Sequence, residues 1–173
     1  MKYWIDTEFI EYPCTIDLIS IGIVAEDGRE LYIEISDFDE CHASEWVRDN
    51  VITKLWSRQA NKADFNSWSQ DPNHCGGLLT KKNAGGAIQR FIGSDVPEFW
   101  GYYADYDWVV FCWLMGTMMD LPNGWPMYCR DLKKLVDELG NPKLPEQDDG
   151  EHNALADARW TRDAHDAVLQ LRK

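Results

Sequence analysis

The chain has 173 residues, 45% of them hydrophobic, nine tryptophans and a formal net charge of −13. This is a globular composition, long enough for one domain spanning residues 1–173, and its acidic balance argues against a tight, sequence-independent grip on duplex nucleic acid. No apolar run approaches the ~20 residues of a membrane helix, and Met1-Lys2-Tyr3 leads straight into a strand with no signal-peptide core, so a cytoplasmic protein without membrane contact is expected.

The first element is KYWIDTEF, Lys2 to Phe9. Tyr3, Trp4 and Ile5 suit a buried strand, and Asp6 and Glu8, two apart in an extended chain, project from one face near its end. Two neighbouring carboxylates resist burial unless something compensates them, and a hard divalent cation is the usual partner. A loop at Pro13 leads to a second, β-branched strand over Thr15–Ala25. The Asp27-Gly28 turn signal then leads to Glu30–Ser36, which alternates as a half-buried strand should. A helix is expected from Ala43 to about Trp56 and a long surface loop from Arg58 to Leu79. A second helix is expected over Thr80–Ile92.

Pro97–Gly101 reads as a short strand, Asp105–Met119 as a helix, Pro126–Cys129 as another short strand and Asp131–Leu139 as a helix. After an acidic, proline-containing loop to Gly150, a last helix runs over about Asn153–Leu171. Its apolar stripe steps back from Leu171 through Val168, Ala164 and Thr161 to Asp157, a carboxylate at the head of a core-facing stripe. His152 precedes the same end. Asp105 reads as a helix N-cap, and Asp107 lies in the first turn. Strands first, then strands alternating with helices, give an α/β fold with a mixed central sheet flanked by helices.

The five cysteines are scattered without a C-x-x-C pair, as in a reduced protein, and Cys41-His42 and His74-Cys75 lack the spacing of a zinc motif. Basic residues gather locally (Lys54, Arg58 and Lys62; Lys81, Lys82 and Arg90; Lys133 and Lys134; Arg159 and Arg162), a pattern that solvated helix faces also produce.

Asp6 and Glu8 in DTEF, Tyr106-Asp107, and His152 with Asp157 in HNALAD, in that order along the chain, resemble the DEDDh branch of the 3′→5′ exonuclease superfamily. DTEFIE followed by LISIGIVAEDGRE is especially similar to its small bacterial exoribonuclease subfamily. The resemblance implies an RNase H-like fold and hydrolysis of RNA 3′ ends to nucleoside 5′-monophosphates, with a DNA 3′ end as the alternative substrate. It also implies two Mg²⁺ ions per site, replaceable by Mn²⁺, and a homodimer. By the same resemblance Asp6, Glu8, Asp107 and Asp157 are the metal ligands, with Asp105 the alternative to Asp107, His152 is the general base, and Thr7 and Phe9 contact the terminal nucleotide, a core packing role being the alternative for Phe9. An RNase H-like binding module with a merely solvated acidic set is the competing class.

Overall fold

The computed structural model describes residues 1–59, 70–147 and 151–171. Lys62, part of the loop expected over 58–79 and the end of the acidic loop at Gly150 lie outside these residues. β1 (Lys2–Tyr12), β2 (Thr15–Ala25) and β3 (Glu30–Ile35) form an antiparallel meander, to which β4 (His74–Leu79), β5 (Glu98–Gly101) and β6 (Arg130–Asp131) are added in parallel fashion. The strand order is β4-β3-β2-β1-β5-β6, so β1 sits inside the sheet. A meander continued by parallel strands on the far side of β1, with helices on both faces, is an RNase H-like arrangement.

β1 does not stop near Phe9. A bulge between Glu8 and Phe9 shifts the register, and pairing with β2 resumes to Tyr12↔Thr15, the reversal being made by Pro13 and Cys14 at φ 63°. Bulges re-aim side chains next to functional sites, and here one separates the carboxylate pair from the rest of the strand.

α1 (Glu45–Asn50), α2 (Lys81–Ile92), α3 (Asp105–Trp113), α4 (Leu132–Glu138) and α5 (Ala154–Leu171) are the α-helices among the described residues. One face of the sheet carries Tyr3, Ile5, Ile21, Ile23, Leu31 and Ile33 against Ile88 of α2 and Phe111 of α3. The other carries Trp4, Val24 and Tyr32 against Ala154, Leu155 and Ala158 of α5, whose small side chains let the helix lie close.

Six further expectations are corrected. β3 is buried along its whole length instead of alternating, because both faces of the sheet are covered. Its polar side chains are satisfied from inside, Glu30 by Arg159 and His74, and Glu34 by Tyr32 Oη and the backbone of Trp56 and Ser57. The loop expected to Leu79 instead contains β4, whose glycines read as turn signals. Gly76 stands at φ +140°, and a Cβ there would lie 1.8 Å from the Tyr32 carbonyl oxygen, so the residue marks a close strand approach.

The helix expected to Trp56 is α-helical only to Asn50 and continues as 3₁₀ turns at Ile52–Lys54 and Trp56–Arg58. Val51, Ile52 and Leu55 turn in to pack on Ile10 and Ile19, and Glu34 takes the N–H groups that would have continued the helix. The helix from Asp105 ends at Trp113, before Gly116 at φ +124°, and the short strand expected over Pro126–Cys129 falls at Arg130–Asp131 instead. The stripe on α5 keeps Thr161, Ala164 and Val168 in the core, but Leu171 is 60% exposed.

Candidate active site

Two cross-strand rows set the site. Asp6 pairs with Gly22 and Gly22 with Tyr32; Glu8 pairs with Ser20 and Ser20 with Glu34. Both rows face α5. A Cβ on Gly22 would lie 2.3 Å from the Ala154 carbonyl oxygen and 2.5 Å from the Leu155 Cα, so the head of α5 rests directly on the β2 backbone. That seat brings Asp157, in the first turn, to the acidic strand. One carboxylate oxygen each from Asp6, Glu8 and Asp157 lies within 4.8 Å of the others.

Asp107 reaches the site from the opposite face. β1 runs past the end of its pairing with β5, which stops at Trp4↔Trp100. An N–H beyond that point needs another acceptor. Thr7 donates its backbone N–H at 2.9 Å and its hydroxyl at 2.5 Å to Asp107 Oδ1. Thr7 is thereby turned away from Asp6 and Glu8 and onto a carboxylate. Asp107 is 6% exposed, whereas Asp105 faces solvent and the N-cap position is held by Ala104.

Burial raises all four carboxylates, and the neighbouring charges add to it at Asp6 and Glu8. Burial, then Asp107, Asp157 and Glu8, hold Asp6 well above the ordinary carboxylate range. Burial followed by Asp157 and Asp107 pushes Glu8 up to about 8, with Lys54 pulling the other way. Burial raises Asp107 to about 6 against the bonds from Thr7, and Asp157 to about 6 against the His152 backbone N–H. An all-oxygen donor set that is protonated by crowding in the bare protein fits a hard divalent cation, which removes the repulsion. Among the described residues Asp6, Glu8 and Asp157 are the group that could hold an ion. The Cys/His pairs are used otherwise, with His42 stacked on Tyr12 at 4.1 Å and His74 on Glu30 at 3.2 Å.

His152 adopts φ 70°, and its backbone N–H donates to Asp157 Oδ2 at 3.1 Å. Its ring lies edge-on to Trp46, centroids 4.8 Å apart, on α1. A cleft of about 230 Å³ opens between Asp6, His152, Asp157, Tyr102, Gln147 and Trp160. The Gln147 amide donates to Asp157 Oδ1, and Trp160 Nε1 holds the Pro145 carbonyl at 3.1 Å, tying the preceding loop to α5. On the other side of Glu8, Phe9 meets Tyr106 edge-to-face at 5.8 Å. Sequence reasoning did not find Trp46, Tyr102, Gln147 or Trp160. Only the exposure of Trp46, at 52% for a tryptophan, sets it apart, and exposure is not legible in a sequence.

Residues 1–169 match the family described as 3′-5′ exoribonuclease Rv2179c-like domain. The chain is similar to the 3′-5′ exoribonuclease Rv2179c of Mycobacterium tuberculosis, 38% identical over 167 residues, covering 92% of this chain and 88% of that protein. The counterpart in a second strain of that organism matches to the same extent. Among solved structures, the catalytic unit of Neurospora crassa Pan2, with its protease and nuclease domain, is similar at a TM-score of 0.41 and 15% identity, over 99% of this chain and 29% of that one.

Proposed function

The chain belongs to the Rv2179c-like 3′-5′ exoribonuclease family, hydrolases acting on RNA ends, and on that premise we propose how its own residues carry the reaction. The convergence of Asp6, Glu8 and Asp157 oxygens within 4.8 Å carries the reading. These three would hold one divalent cation, and Asp6 with Asp107 would support a second. Mg²⁺ is the natural occupant and Mn²⁺ its substitute, because both take carboxylate oxygen. When bound, the cations neutralise the terminal phosphodiester and acidify the attacking water.

The remaining work falls to protein groups. His152 takes the proton from the water, a task suited to imidazole near neutral pH. Its position is set by the backbone bond to Asp157 and the Trp46 ring. Thr7 serves the site by fixing Asp107, and Phe9 with Tyr106 forms the rim against which the terminal nucleotide rests. The products are nucleoside 5′-monophosphates.

The family, matched over residues 1–169, supports RNA over DNA as the substrate. Residues 1–173 as one exonuclease domain and a homodimer as the working form complete the proposal. A cytoplasmic location agrees with five free cysteines. No helix among the described residues is long and apolar enough to cross a membrane. Replacing His152 by alanine should lower kcat by about 10²–10⁴ with metal affinity nearly intact. Asp6→Ala should abolish metal binding in calorimetry. An unchanged rate in the first variant removes His152 from the mechanism, and normal Mg²⁺ binding in the second refutes the site.

A further inference from the structure

The rows that carry Asp6 and Glu8 end, two strands away, in Tyr32 and Glu34, both fully buried. Neither touches the cleft. Glu34 gathers three donors: Tyr32 Oη at 3.0 Å, Trp56 N at 2.7 Å and Ser57 N at 3.0 Å. Tyr32 Oη in turn accepts from Asn153 Nδ2 at 3.3 Å, while its ring packs on Trp56 with centroids 4.7 Å apart. Asn153 is the residue after His152, and its Oδ1 caps α5 by accepting the Ala156 N–H at 3.2 Å. One buried carboxylate thus fastens both sides of the histidine. Through Tyr32 and Asn153 it holds the chain that carries His152, and through Trp56 and Ser57 it holds the segment that follows α1 and the Trp46 ring.

We propose that Glu34, Tyr32 and Asn153 form a buried relay that positions His152 for its work in the cleft. This rests on the reading of His152 as the base. The backbone of His152 stands at φ 70°, a conformation costly for a residue with a Cβ, and such strain persists only where the surroundings over-determine it. The relay supplies that restraint. Buried polar chains in which every link is made specify one arrangement, and loosening a link costs more than the single bond. These are positioning residues, since none of the three meets the substrate.

Tyr32→Phe keeps the ring and leaves Glu34 its two backbone donors, so the variant folds. Asn153→Ser keeps a neutral helix-capping oxygen and removes the donor to Tyr32. Either change should lower kcat by about 10- to 100-fold with KM within about twofold, because a misplaced catalytic group costs up to ~10² in rate. In a His152→Ala background the same substitutions should change kcat by less than about twofold, there being no imidazole left to place.

The imidazole resonances of His152, followed by NMR in the metal-free protein, should be single and sharp in the wild type and broadened or split in both variants. An unchanged kcat and unchanged His152 resonances in Tyr32→Phe would overturn the relay, as would an equal loss in both backgrounds. A full rate in His152→Ala alone would sink the base reading, while the NMR comparison would still decide whether the relay sets the ring.

Discussion

Substituting Gly22 by alanine perturbs the site without touching a carboxylate. The added methyl would lie 2.3 Å from the Ala154 carbonyl oxygen, 2.4 Å from its carbon and 2.5 Å from the Leu155 Cα, all backbone atoms. Ordinary contact begins near 3.4 Å, so the head of α5 must retreat by about 1 Å. Overpacking of this kind costs about 1–3 kcal/mol, and for a domain of this size each kcal/mol lowers Tm by about 2–4 °C. A fall of about 2–12 °C is expected.

The rate should suffer more than the fold. Asp157 rides on the first turn of α5, and a 1 Å misplacement in a catalytic constellation can cost ~10² in rate. The assay is a thermal melt beside single-turnover hydrolysis of a labelled RNA at a temperature where the variant is fully folded. A Gly22→Ala protein with the wild-type Tm and rate would refute the seating of α5 on β2 and with it the account of how Asp157 reaches Asp6.

Metal and pH should be linked. Glu8, Asp107 and Asp157 keep their protons up to about 8, 6 and 6 in the metal-free fold but release them near 4.5, 3.8 and 3.8 when unfolded. The fold therefore binds the extra protons, and stability present at about pH 4 is lost as pH rises through 6 to 8. For Asp107 alone that loss is about 3 kcal/mol. Millimolar Mg²⁺ should raise Tm by about 5–10 °C at pH 8 and by much less at pH 5, and an equal shift at both would contradict the linkage. Thr7→Val removes one of the two bonds to Asp107 and should lower kcat by about 10- to 100-fold, as losses around metal ligands do. Steady-state kinetics showing a full rate would free Asp107 from Thr7. Asp107→Asn should abolish hydrolysis while Asp105→Asn, at an exposed position, keeps it, and the reverse result in the same assay would exchange their roles.

Much of this was legible in the residues, for physical reasons. Period-two spacing places Asp6 and Glu8 on one face whatever the fold, and period-3.6 spacing makes Asp157 the acidic member of a buried stripe. The meander was readable because Asp27-Gly28 is an unambiguous turn. β4 was not, because glycines chosen for close strand contact look like glycines chosen for turns. Nor was the pairing of Glu34 with Trp56 and Ser57, since a buried carboxylate in an alternating strand looks like a solvated one. Thr7 sits in the acidic motif and reads as a substrate contact, yet its partner is 100 residues away on α3, where only the fold could bring it.

The most direct test is the pattern of products from a 5′-labelled RNA oligomer incubated with Mg²⁺ or Mn²⁺, beside the same sequence in DNA and an Asp6→Ala control. A metal-dependent ladder that shortens from the 3′ end of the RNA, vanishing in the control, is the predicted result. No shortening of RNA, or a ladder that persists without Asp6, would contradict it.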